Sequence, residues 1–403
     1  MKRILLVVLV LCAIHFWGSV RVPKHYYNLT DLFSLAVFGF SFVKQYSNKG
    51  LLFRNAIIVY FIGIFLNVLS AYFNNGQGPK DTILSAGNLY FILMYFWLHE
   101  NKIERKDLET LIVVFAILYT IFYQMQIDAF PRRLFRGTLF ADRGTIRLRM
   151  QGAGFMVLCY FMFLNRYLMY RKLPHILLAM FFLVIIIKGG NRTFLAATAL
   201  LTGITFLKLV KYSPTNYFLI LLGVIMFIGV LQMEETSMII QNMIETTENQ
   251  QEQGDRYIRR MQFEYFTNEY PQNASYYIFG GGFPGGYGSY ANRMGYMVEA
   301  FGFYWVDLGL LGFYLVMGLL TTLGLLLWCV KGMFIRLTPE NLYLNMYLAF
   351  LVLSSNIVID EIFAPGIFGI QAITLYLIDL ARRDYLEGKK PAVVLPEGAS
   401  LAG

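Results

Sequence analysis

Charge is scarce in this chain. Asp, Glu, Lys and Arg make up 15% of it, where a soluble domain carries about 25%. So little polar surface cannot cover a water-facing globule of 403 residues. Cysteine is scarce too: Cys12, Cys159 and Cys329 all fall inside apolar runs. No CxxC pair or Cys/His cluster exists, which argues against a structural zinc site. The four histidines, His15, His25, His99 and His175, are scattered. No Gly-Lys-Ser/Thr follows the glycine-rich run, so that run is not a nucleotide phosphate loop. There is no tandem repeat, and no polar stretch is large enough to stand as a soluble domain.

What is abundant is apolar. The chain is 57% hydrophobic and 17% aromatic, with mean hydropathy +0.53. Crossing the hydrocarbon core takes about 20 apolar residues in a helix. A membrane barrel needs alternating strands of about ten residues, and the runs here are longer and do not alternate. The expected fold is therefore all-α, a polytopic membrane protein with about twelve transmembrane helices. The expected spans are 4–20, 28–46, 52–73, 82–98, 108–126, 150–168, 174–188, 193–210, 216–232, 302–330, 342–358 and 363–381. The segment 302–330 is long for one helix, so it either begins outside the bilayer or carries a break near Gly309 and Gly312. Lys2-Arg3 before an apolar run has the look of a signal peptide, but no small-residue cleavage site follows Phe16. Leu11 before Cys12 also departs from a lipoprotein motif, and a retained first span is expected. Residues 1–403 then form one transmembrane domain. Its polar loops are 127–149 and 233–301, the second being the large one, and 382–403 is a hydrophilic tail.

The net charge of +9 could suggest nucleic acid, but in such a chain its distribution matters more than its total. With the amino terminus in the cytoplasm, eleven lysines fall on the inside and three (Lys24, Lys80, Lys188) on the outside. That is a positive-inside asymmetry, and it turns both long loops and the face they share outward. Arginine runs the other way, twelve outside against eight inside. Topology does not ask for external arginine. Anion binding does, because the planar guanidinium makes bidentate contacts to phosphate; contact with anionic headgroups or local carboxylates is the plainer alternative.

Four stretches could carry chemistry. Lys188-Gly189-Gly190-Asn191-Arg192-Thr193 puts Arg192 at a helix amino terminus, a place that favours phosphate, or leaves it a snorkelling arginine at a helix end. In Gly254-Asp255-Arg256-Tyr257-Ile258-Arg259-Arg260, helical spacing puts Arg256, Arg259 and Arg260 on one face. That face could hold a lipid-linked pyrophosphate, or it could be a solvated helix with Arg260 paired to Glu264. Ile278-Phe279-Gly280-Gly281-Gly282-Phe283-Pro284-Gly285-Gly286 interleaves aromatics with glycine, which suits sugar faces or a mobile flap. Glu299 stands at the mouth of an apolar helix, placed either to remove a proton from a hydroxyl or simply to cap that helix. Asp307, Asp360 and Glu361 rank below it.

The order of these features resembles the bacterial O-antigen polymerase and O-antigen ligase family. The matching elements are Arg149-Met150-Gln151-Gly152 and Gly190-Asn191-Arg192-Thr193, each opening a span, then a large late external loop. That loop carries the arginine-bearing helix, Ile278-Phe279-Gly280-Gly281-Gly282, and Glu299 ahead of Gly309-Leu310-Leu311-Gly312. The resemblance is sharpest over 149–312. It implies a GT-C-like membrane glycosyltransferase, inverting and without metal or other cofactor, in the bacterial inner membrane with its active site on the periplasmic side. The implied partners are an undecaprenyl-pyrophosphate-linked glycan donor, a glycan acceptor, the lipid bilayer and a chain-length regulator, with no nucleic acid. Carried over, Arg192, Arg256, Arg259 and Arg260 would hold the pyrophosphate and stabilise the departing oxygens. Glu299 would be the general base, and Arg147 and Arg149 would support donor binding. The ligase branch places a histidine just before the last of these helices, where this chain has Val298-Glu299. That departure favours a polymerase over a ligase. A flippase or transporter and a noncatalytic scaffold are the rival readings; the lack of two similar halves speaks against a carrier.

Overall fold

The computed structural model describes residues 2–136, 138–142, 145–189, 191–209, 241, 257–286, 288–356 and 366–388. The expected span 216–232, Arg143, Arg256, Asp360, Glu361 and most of the tail lie outside the described residues.

The described chain is helical apart from one hairpin. In order come α1 (Lys2–Ala13), α2 (Lys24–Gln45), α3 (Arg54–Asn75), α4 (Pro79–Ser85), α5 (Met94–Asn101), α6 (Arg105–Asp128), α7 (Ala153–Tyr170), α8 (Leu173–Lys188) and α9 (Arg192–Leu209). After the undescribed stretch come α10 (Ile258–Glu264), α11 (Ser275–Phe279), α12 (Ser289–Phe301), α13 (Gly309–Met317), α14 (Leu319–Phe334), α15 (Leu342–Ser355) and α16 (Ile367–Leu386). Long apolar runs become long helices because a bilayer leaves the backbone no other way to satisfy its own polar groups. Among the described residues, α3, α6, α7 and α9 are long and apolar enough to cross a membrane. A fifth candidate is the pair formed by α12 and Trp305–Met317, bent by 78°. In α7, 78% of the apolar window is buried, against 28% in α9. Protein therefore surrounds α7, whereas α9 presents most of its side to its surroundings, as do Phe40, Phe65, Phe73 and Leu207.

Three local departures from the sequence reading have physical causes. The run 82–98 is not one helix. It passes from α4 through a 3-10 stretch, Gly87–Leu93, into α5. There the Asp31 carboxylate of α2 presses against Gly87 where any side chain would stand. The long segment 302–330 does break at Gly309 (φ 60°, ψ −138°), as expected, where the 3-10 turn Trp305–Leu308 meets α13, and it breaks a second time at Gly318 (φ 84°, ψ 170°), a conformation that glycine adopts freely. The second break frees the carbonyls of Leu315 and Val316, which accept the Gly281 and Gly282 N–H groups at 2.9 and 3.0 Å. Finally, the loop 127–149 holds a hairpin, β1 (Thr138–Asp142) paired antiparallel with β2 (Thr145–Arg149). An isolated Ser19–Phe135 bridge ties the stretch before it to the end of α1.

Small residues set the closest helix crossing. Where α3 meets α14, a Cβ on Gly63 would run into the Thr321 backbone, and one on Gly324 would stand 2.6 Å from Tyr60 Cα. This close backbone approach is the usual way apolar helices gain van der Waals contact without a water-driven force. Ion pairs gather at one end of the helical body: Arg3–Asp107 (2.7 Å), Lys44–Glu100 (2.7 Å), Arg105–Glu109 (2.8 Å) and Arg166–Glu109 (2.6 Å). At the carboxyl end of α1, and so at the opposite end of the body, the chain builds something else.

Candidate functional site

The carboxyl end of α1 turns with the wrong hand. His15, Phe16 and Trp17 have φ of 45°, 52° and 56°, followed by Gly18 at 71°. Each non-glycine residue in that conformation costs about 1–2 kcal/mol, so its surroundings must hold it. They do. The His15 imidazole stacks on Tyr27 (centroids 4.8 Å, 8° between planes) and bonds through Nε2 to Asp31 Oδ1 at 2.7 Å. Trp17 sits between Phe115 and Phe122, with centroids at 5.2 and 5.0 Å. The Arg136 N–H donates to Gly18 O at 2.5 Å, and Val20 N donates to Leu134 O at 3.0 Å.

This turn forms one wall of a cavity of about 340 Å³, within the usual range for a ligand pocket. Its chemistry comes from His15, Tyr27, Asp31, Asn88, Arg136 and Gln151. The Arg136 guanidinium lies over the Tyr27 ring, 5.2 Å from its centroid. Three buried atoms on these side chains have no partner: Arg136 Nη1, Asn88 Oδ1 and Gln151 Oε1. A buried polar atom without a partner costs about 1–3 kcal/mol. All three side chains also line the cleft, so a polar ligand there would meet a guanidinium and two amides. The buried His15–Asp31 pair adds an acid–base group to the same wall.

None of the described residues singled out by the sequence for a catalytic or donor-binding role lines this cleft. Glu299 is exposed, in the last turn of α12. It does not open the apolar helix; α12 ends at Gly302 and bends before α13, and a carboxylate at a helix carboxyl end gains nothing from the helix dipole. Arg192 is the first residue of α9, where Asn191 Oδ1 caps the helix by accepting from the N–H groups of Thr193 (3.1 Å) and Phe194 (3.3 Å). Arg147 and Arg149 lie on β2, facing Phe140 and Thr138 in the register. Arg259 is half-buried on α10, and Arg260 is exposed and pairs with Glu264 at 3.5 Å. An exposed pair of that kind contributes little.

The structure does join two of these groups. α10 docks on the turn that follows α12: Gln262 donates to the Tyr304 carbonyl, Tyr265 packs on Phe303 at 5.8 Å, and Ile258 faces Gly302. Arg259, Arg260 and Glu299 thus belong to one folded unit.

The glycine-rich run is no free flap. Asn67 Nδ2 donates to the carbonyls of Phe279 (2.9 Å) and Val316 (2.7 Å), and Ser70 Oγ donates to Gly280 O at 2.5 Å. Asn75 Nδ2 donates to Gly281 O at 2.5 Å and Gln77 Nε2 to Phe283 O at 2.7 Å. Tyr290 OH donates to Gly282 O and shares a 2.7 Å bond with Tyr270 OH. Gly285 packs against Ser85, which itself lines the cleft. The run is a fixed strap along the cleft's rim.

No family model, curated protein or solved structure matches the chain. Its chemistry therefore rests on its own residues. Neither Arg136 nor His15 stands in a motif that the sequence singles out. Their signal was polar residues at the ends of apolar runs, which in a membrane protein mark function by default.

Proposed function

We propose that the chain is a membrane glycosyltransferase that polymerises undecaprenyl-pyrophosphate-linked oligosaccharide repeat units at the periplasmic face of the bacterial inner membrane. In this reading about twelve helices cross the bilayer in a GT-C-like arrangement, both termini are cytoplasmic, and the cleft opens outward. One observation carries the reading: a guanidinium stands beside a buried imidazole–carboxylate pair in a single cavity. Such a pairing suits a diphosphate leaving group and an attacking hydroxyl, because the guanidinium offsets charge as it develops on the departing oxygens. The outward surplus of arginine would draw the anionic donor to that face. Arg192, Arg256, Arg259 and Arg260, with Arg147 and Arg149, would line its approach.

The test is a transfer assay in nanodiscs with lipid-linked repeat units from the protein's own host. Wild type is expected to give a ladder of products, and Arg136→Ala to lose it while still folding. Arg192→Ala and Glu299→Ala extend the test to the other proposed residues. A single glycan moved onto a lipid A core would make the protein a ligase. No transfer to any acceptor, together with donor crossing a liposome bilayer, would make it a flippase and end the enzyme reading.

A further inference from the structure

We infer that His15, oriented by Asp31, is the base that takes the proton from the acceptor hydroxyl; this rests on the glycosyl transfer proposed above and moves the base away from Glu299. Asp31 Oδ1 lies 2.7 Å from Nε2. An ionised carboxylate there keeps the imidazole proton on Nε2 and leaves the lone pair on Nδ1, the arrangement of a base held by an acid. The acceptor oxygen attacks the anomeric carbon, and its proton passes to Nδ1. The bond from that carbon to the pyrophosphate oxygen breaks, and the electron pair leaves with the diphosphate, whose charge Arg136 balances. His15 ends as imidazolium, stabilised by Asp31.

Three features single out His15. Its backbone, with Phe16 and Trp17, is held in a left-handed turn that L-residues rarely adopt. Fixing a side chain in place on such a backbone is common at active sites. His15 is 7% exposed and Asp31 9%, so the pair is shielded from bulk water while bordering the cavity. Glu299, by contrast, is exposed at a helix carboxyl end. The titratable and charged groups that face His15 are Asp31 and Tyr27 from α2, with Arg136 across the Tyr27 ring. Phe91 closes the remaining side edge-on at 6.5 Å.

The experiment measures polymerisation rate against pH in nanodiscs for wild type, His15→Gln, Asp31→Asn, Asp31→Glu and Glu299→Gln, with binding of undecaprenyl pyrophosphate as a separate readout. General-base catalysis supplies about 10²–10⁴-fold, so His15→Gln should fall by that factor, lose the acid limb of the profile and still bind undecaprenyl pyrophosphate. Asp31 is a positioning residue: Asp31→Asn should lower kcat with the donor KM unchanged, and Asp31→Glu should restore part of it. Glu299→Gln should keep the acid limb. Should His15→Gln fail to fold, diethyl pyrocarbonate on wild type replaces it. Loss of activity should then track the His15 adduct seen by mass spectrometry, and undecaprenyl pyrophosphate should slow both. If wild type builds a ladder and His15→Gln keeps its rate and acid limb, or activity is lost without the His15 adduct, the base assignment alone falls. If wild type transfers no glycan, the glycosyl-transfer reading falls and takes the assignment with it.

Discussion

Replacing Asn67 with alanine should release the glycine strap. Asn67 is 1% exposed and its amide spans two carbonyls, Phe279 O at 2.9 Å and Val316 O at 2.7 Å. The two losses differ. Val316 O keeps the Gly282 N–H at 3.0 Å, so it gives up one bond of about 0.5–1.5 kcal/mol. Phe279 O, half-buried, loses its side-chain donor at about 1–3 kcal/mol. Together that is about 1.5–4.5 kcal/mol, or roughly 10- to 1,600-fold in the opening equilibrium of the strap. Alanine is itself the better helix former, so α3 gains nothing unfavourable that could mimic the effect. Hydrogen exchange read by mass spectrometry on peptides covering 279–288 measures the opening directly. Ser70→Ala, which removes one bond to Gly280 O, should give a smaller acceleration in the same peptides. If Asn67→Ala leaves exchange across 279–288 unchanged while the rest of the protein is intact, the strap is not held by these bonds and the reasoning fails.

Three further outcomes follow from the same geometry. Gly63→Ala should destabilise by about 1–3 kcal/mol because its Cβ meets the Thr321 backbone, whereas Gly203→Ala, with open space around it, should be neutral or gain about 0.4–1 kcal/mol; melting curves in detergent compare the two, and equal shifts would sink the packing argument. Glu109→Gln should cost about 1–3 kcal/mol, below a fully buried pair, since Glu109 accepts from Arg105, Arg166 and Tyr343 at once while all three charged side chains keep some exposure; chemical denaturation reads it. The three native cysteines are buried, so single cysteines report topology cleanly: in intact cells an impermeant maleimide should label Lys80→Cys and reach Lys106→Cys only after permeabilisation, and the reverse pattern would invert the proposed orientation.

Much of the fold was legible because length and hydropathy decide it. The runs 52–73, 108–126, 150–168 and 174–188 became Arg54–Asn75, Arg105–Asp128, Ala153–Tyr170 and Leu173–Lys188. The breaks were less legible. Hydropathy does not see Asp31 pressing on Gly87, nor the second break at Gly318 beyond the expected one near Gly309. The hairpin was missed although β2, Thr145-Ile146-Arg147-Leu148-Arg149, alternates strictly: five residues in a polar loop, paired with a β1 that does not alternate, are too short a signal. The cleft was harder still: His15, Asp31, Asn88, Arg136 and Gln151 come from five separate stretches, and only packing brings them together. The short arginine and glycine motifs drew attention instead because their residues are neighbours along the chain.

The break at Gly318 bears on how the protein is made. The carbonyls it frees, on Leu315 and Val316, find their donors at Gly281 and Gly282, and Asn67 fastens both sides. Every one of those donors leaves the ribosome before the helix that needs them. The strap and α3 are thus already synthesised when α13 emerges, so its unpaired backbone has partners waiting and need not linger bare in the membrane. Deleting the strap would strand that segment during insertion, and quality-control proteolysis, rather than a folded but inactive protein, is the fate to expect.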